Sequence, residues 1–95
     1  MSQQKTKKNK QELPKWFDGV TYNEGATVEN PYSGESYELT GVELSMYDFI
    51  IGCQSVIDFR GGALNPVTAN LQRQMAKGLS WFRKNNAEAY MVLLD

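Results

Sequence analysis

The chain contains no histidine and one cysteine, Cys53, in its 95 residues. The first absence removes the commonest general base near neutral pH and the commonest metal ligand. A single thiol forms no internal disulfide, and without histidine it assembles no Cys–His nucleophile. Carboxylates alone rarely build a zinc cage. The lone thiol fits a reducing compartment. Long apolar stretches are missing too. The longest uninterrupted run is about five residues, against roughly twenty for a membrane span. The N-terminus is polar and lysine-rich with no apolar run behind it, so no signal peptide is expected. These absences point to a non-catalytic protein without cofactor, metal or membrane segment.

The residues present support one folded unit. An apolar fraction of 41% with 12% aromatic is too high for global disorder. A chain of this length buries roughly 60–65% of its unfolded surface, so its core is modest. The net charge of −1 conceals segregation. Residues 1–15 carry Lys5, Lys7, Lys8, Lys10 and Lys15 against Glu12. Residues 16–60 carry eight acids against Arg60, and residues 61–95 are mildly basic again. Such asymmetry bears on partners rather than on fold.

The opening "MSQQKTKKNKQELPK" has one leucine and no aromatic residue, so it reads as a flexible basic arm over residues 1–15. Residues 16–95 then form a single globular domain. Its first part, to Leu39, is rich in Gly, Asn, Tyr and Thr, with turn signals at Asn23-Glu24-Gly25 and Asn30-Pro31-Tyr32-Ser33-Gly34. Short extended pieces at Val20–Tyr22, Thr27–Glu29 and Tyr37–Leu39 make a hairpin or meander. Trp16 and Phe17 either lock this ribbon onto the helices or join Tyr22, Tyr32 and Tyr37 in a recognition surface.

"TGVE" at Thr40–Glu43 is a capping box, opening a helix from about 41 to 59. Val42, Met46, Phe49, Ile50, Cys53, Val56 and Ile57 share one wide arc, and Leu44, Tyr47 and Ile51 lie beyond it. Only the strip Ser45, Asp48, Gly52 and Ser55 lacks large apolar groups. Small residues there admit another backbone, from the second helix or from another protein. One further long helix is too little to cover a rod so apolar, which points to self-association or a protein partner.

"RGG" ends that helix, with Gly61 or Gly62 as a left-handed cap. An anion site of Arg60, the glycine amides and the next helix is the alternative, but the Lys-Ser/Thr of a phosphate loop is absent. Asn65-Pro66 then caps and starts a second helix, about 66–84. Leu64, Val67, Leu71, Met75, Gly78, Leu79 and Phe82 lie within about 120°. Arg73, Lys77 and Lys84 occupy the opposite side, with Trp81 between the faces. That stripe, with Lys5, Lys7, Lys8 and Lys10 of the arm, is the candidate nucleic-acid surface: cations for phosphates and an indole for a base. A solvated helix face is the plainer alternative. "AEAYMVLLD" closes the chain as a short helix capped by Asn86, or as a strand.

The scattered acids Asp18, Glu24, Glu29, Glu35, Glu38 and Glu43 show no calcium-loop spacing and fix no catalytic pair. From Trp16 onward, the orders "WFDG-x-Y-x-EGATVENPYSGE", "LT-x-x-E-x-x-MYDFI-x-G" and "KGLSWFRKNNAEAYMVLLD" resemble small proteins encoded by tailed phages of marine bacteria. The resemblance covers about residues 15–95. It implies a viral protein in the cytoplasm of an infected bacterium or in a virion, and it brings no active residue with it.

The expected fold is therefore a small, mostly helical α+β domain. An N-terminal β-hairpin or meander packs on two long antiparallel helices, with a short C-terminal element. The expected function is protein interaction, with Ser45, Asp48, Gly52, Ser55, Tyr32 and Tyr37 as candidate contacts and a homo-oligomer as the expected state. Nucleic-acid binding through the arm and the Arg73, Lys77, Trp81 and Lys84 face is the alternative.

Overall fold

The computed structural model describes residues 11–95; the candidate contacts Lys5, Lys7, Lys8 and Lys10 lie outside them. Two antiparallel strands, β1 (Ala26–Glu29) and β2 (Ser36–Leu39), precede three helices, α1 (Gly41–Phe59), α2 (Ala69–Asn85) and α3 (Ala87–Leu93). A 3₁₀ turn at Pro66–Thr68 leads into α2. This is the α+β arrangement the sequence predicts, with the closing segment helical.

The β-hairpin follows from its turn and from alternation. Val28 pairs with Tyr37 and Ala26 with Leu39, which puts these four on one face. Leu39 is buried and Val28 and Tyr37 pack at the edge of the core, while Thr27, Glu29, Ser36 and Glu38 face solvent. Asn30 organises the turn. Its Oδ1 accepts from the amides of Tyr32 and Ser33, and its Nδ2 donates to Val92 O at 2.9 Å, fastening the ribbon to α3. Residues 20–22, expected as a strand, are not one. The Tyr22 amide instead donates to the Ser45 hydroxyl at 2.8 Å, a side-chain partner in place of a strand ladder.

Helix α1 starts as a true capping box. Thr40 Oγ1 accepts from the Glu43 amide, and Glu43 Oε1 accepts from the Thr40 amide. It ends in a Schellman motif. The Gly62 amide donates to Ile57 O at 2.8 Å and the Gly61 amide to Asp58 O, with both glycines at positive φ (101° and 87°) that side chains disfavour. The "RGG" segment is thus a helix cap. Asn65 caps as expected, but what it caps is the 3₁₀ turn. α2 proper begins at Ala69, three residues later than the spacing suggests.

The two long helices run antiparallel. Gly78 on α2 lies against Ile50 and Met46 of α1, and Asn86 just past α2 bonds Glu43 near the start of α1. Gly78 is buried, and a methyl group there would sit 2.9 Å from Ile50 Cγ1. The small residue that lets the helices close together is therefore Gly78, not the Ser45–Ser55 strip. Leu39, Met46, Ile50, Phe82, Ala89 and Leu93 form the core where the first half of α1, the second half of α2, α3 and β2 meet.

Residues 11–15, assigned to a flexible arm on composition, belong to the folded body. Gln11 Nε2 donates to Glu43 Oε2 at 2.8 Å and to Asn85 O at 3.3 Å, its Oε1 accepts from the Thr40 hydroxyl, and Leu13 packs on the core. A polar side chain that satisfies three buried-edge groups at once offsets the low apolar content that suggested disorder.

Candidate interaction surfaces

Between Ile50 and Met75, along the outer halves of α1 and α2, the buried residues reduce to Cys53, Ile57 and Thr68. Here the helical hairpin is covered from one side only. Phe59 is 90% exposed, Leu64 96% and Val67 66%, with Ile51 and Val56 on α1 about two-fifths exposed. Leu64, Val67 and Val56 all fall on apolar arcs that suggest burial. Leu64 and Val67 stay exposed because they precede the first turn of α2, and Val56 is covered over only part of its surface, at 39% exposure.

The connection that carries these side chains is tightly built. Thr68, fully buried, donates its hydroxyl to Asn65 O at 2.8 Å and accepts from Gln72 Nε2 at 2.7 Å. Gln72 also donates to Ala63 O, and Asn65 Nδ2 donates to Arg60 O. With the Schellman bonds, these close the loop from several directions. The exposed apolar cluster therefore sits on a rigid support, not on a slack connection. Asp58 and Arg60, both exposed, flank it with charges of opposite sign.

The strip divides. Ser45 is buried, accepting from the Tyr22 amide and donating to Gly41 O. Asp48 accepts from the Tyr22 hydroxyl at 3.2 Å, and that bond, with the carboxylate's charge, holds the phenol above its ordinary pKa. These two small or polar residues thus receive the chain's own segment around Tyr22. Gly52 and Ser55 are exposed, with open space over Gly52, and border the apolar tip. Tyr32, 97% exposed, stands on the β-turn, and Tyr37 donates to Glu88 Oε1 at 3.1 Å. The ribbon adjoins the start of α1, and the tip lies at its far end, about 28 Å along a helix of this length. Tyr32 and Tyr37 do not join the tip in one surface.

A second feature lies on α2. Lys77, Ser80, Trp81, Lys84 and Asn85 line, with Trp16, an open cleft of about 350 Å³. Trp16 packs against Phe49 at 5.9 Å between ring centres, as Phe17 does at 5.3 Å, so both lock the N-terminal segment onto α1. Trp81 Nε1 donates to Glu12 O at 3.1 Å, and its ring stands edge-on to Phe82. The Lys77 ammonium lies 5.7 Å from the centre of the Trp16 ring. Three of the expected nucleic-acid residues, Lys77, Trp81 and Lys84, meet here. Arg73 is exposed one turn before Lys77, outside the cleft lining. Arg83 stacks instead on Tyr90. Trp16 is the member that the sequence pattern does not single out as a cleft residue. Its position beside a charged helix face depends on a tertiary contact with Phe49.

Cys53 is buried, and burial pushes its thiol above the ordinary pKa, away from the reactive thiolate. Among the described residues no three metal-ligating side chains gather, and no helix is long and apolar enough to cross a membrane. No family model, curated protein or solved structure matches this chain.

Proposed function

We propose that this protein is a non-catalytic interaction module that associates with a second copy of itself through the tip of the α1–α2 hairpin. The observation that carries this reading is the exposure of Phe59, Leu64 and Val67 on a hydrogen-bonded loop. These three present roughly 400 Å² of apolar side chain, taking such groups at about 150–200 Å² when fully exposed. A standard interface takes roughly 800 Å² per partner. Gly52, Ser55, Ala63 and Pro66, exposed around the cluster, supply area towards the remainder. The rim favours a like partner, since a two-fold arrangement sets Asp58 of one copy opposite Arg60 of the other. A setting in an infected bacterium or a virion is what the resemblance of residues 15–95 to tailed-phage proteins would imply.

The test is sedimentation equilibrium over about 1–200 µM, a range that reads micromolar dissociation constants. A concentration-dependent dimer is expected. Phe59→Ser with Leu64→Ser abolishes it while leaving the circular dichroism unchanged, because neither side chain supports the monomer's core. A monomer throughout the range, or a dimer indifferent to both substitutions, overturns the reading.

A further inference from the structure

The Trp16–Trp81 cleft lies on a different part of the molecule from the hairpin tip, and its chemistry is different. We propose that it binds a base of a single-stranded nucleic acid, with Lys77 and Lys84 holding the flanking phosphates and Arg73 extending the track.

Three observations converge. Two indoles line one cleft, and each is held in place: Trp16 by Phe49, and Trp81 by Phe82 and the bond from its Nε1 to Glu12 O. Aromatic surface fixed before binding loses little entropy when a flat ligand stacks on it. The second is charge. Lys77 and Lys84 line the same cleft, with no carboxylate among the lining residues. The third is scale. A cleft of about 350 Å³ is at the small end of ligand sites and suits one nucleotide-sized group. The cations reach further. From Arg73 to Lys84 the helix rises about 16 Å. That exceeds what one free nucleotide spans, and points to a strand.

A duplex does not suit the site, because its bases are stacked on each other and their faces are hidden; the recess needs an unstacked base. An acidic peptide without aromatic residues would satisfy the lysines but bring no flat ring to the indoles. The acidic isoelectric point, near 5.4, is no obstacle, since eight of the eleven acids fall within residues 16–60.

The chain has two tryptophans, and both line the cleft, so its tryptophan emission reports on this site alone. The full chain is titrated with a mixed-sequence single strand of about 12 nucleotides, following emission and the anisotropy of an end label. Saturable quenching is expected, coincident with the rise in anisotropy. With about three phosphates neutralised, affinity falls roughly 100-fold between about 20 and 200 mM salt. Lys77→Glu with Lys84→Glu, both exposed and outside the core, weakens binding by about tenfold or more with the fold intact. Phe59→Ser with Leu64→Ser leaves binding unchanged, which separates this site from self-association. Anisotropy without quenching, or equal binding of inorganic polyphosphate, overturns base stacking. A mononucleotide that binds as tightly as the strand overturns the strand in favour of a free-nucleotide site, and equal affinity for a duplex overturns single-strand preference. No binding at about 20 mM salt overturns the proposal altogether.

Discussion

Asn86 Nδ2 donates to Glu43 Oε2 at 2.9 Å, joining the start of α3 to the start of α1 across 43 positions of sequence. Glu43 is 1% exposed and its partners are neutral donors: Gln11 and Asn86 side chains and the Thr40 amide. One carboxylate therefore caps its own helix and ties down two distant segments. Leaving a buried donor unpaired costs about 1–3 kcal/mol. Glu43→Ala strands several and is expected to lower stability by about 3 kcal/mol in urea unfolding. A loss below about 1 kcal/mol would mean that water replaces the carboxylate.

Gly78 gives the opposite kind of test, where two effects compete. Alanine gains about 1 kcal/mol of helix propensity over glycine. The added methyl meets Ile50 Cγ1 at 2.9 Å and Met46 Sδ at 3.3 Å, and overpacking costs about 1–3 kcal/mol. Gly78→Ala is expected to be destabilising on balance, by about 1 kcal/mol. Ile50→Ala in the same chain removes the Cγ1 that the added methyl meets, so the double variant should be more stable than the sum of the single losses implies. Additive losses would show that the helices move apart freely.

The tyrosines set an alkaline limit. Burial raises Tyr37 and Tyr47 above the ordinary value of 10.0, with the bond to Glu88 adding to the effect at Tyr37. The unfolded chain releases these phenolic protons first, so above pH 10 it binds fewer protons than the folded chain. Stability contributed by this difference is complete below pH 10 and is lost as pH rises through the folded-state values. Denaturation midpoints should hold steady up to that point and then fall. Tyr37→Phe with Tyr47→Phe should flatten the fall.

Cys53 should resist modification. Its thiol is buried, and burial holds it in the protonated form. Reaction with a disulfide reagent near pH 8 is expected to be slow in the native protein and to accelerate with added urea, following the population of opened chains. Immediate stoichiometric reaction in the folded state would contradict the packing around α1.

The elements most legible in sequence are those set by local chemistry. Thr40 and Glu43 announce a helix start because the capping box is complete within four residues. Asn65 and the glycines after Arg60 act by equally short-range rules. Lys77, Trp81 and Lys84 meet because a helix brings together residues three and four apart. What escaped was tertiary. Trp16 reaches the cleft only through Phe49, and Gln11 is ordered only by groups that folding brings from Glu43 and Asn85. The 20–22 segment alternates like a strand, but Ser45 offered its amide a partner that no local pattern encodes. The exposed outer hairpin marks the same limit: an apolar arc says which face seeks cover, and says nothing about whether the rest of the chain extends far enough to provide it.

The bond from Trp81 to Glu12 spans 69 positions, whereas the α1–α2 pair closes over a short connection. Contacts between distant positions carry the larger loop-closure entropy and tend to form after local ones. The helices should therefore assemble first and the strap around Glu12 last, and on unfolding the strap should release first. The indole proton of Trp81 would then exchange with solvent well ahead of the amides in the middle of α1, making it an early gauge of the molecule coming undone.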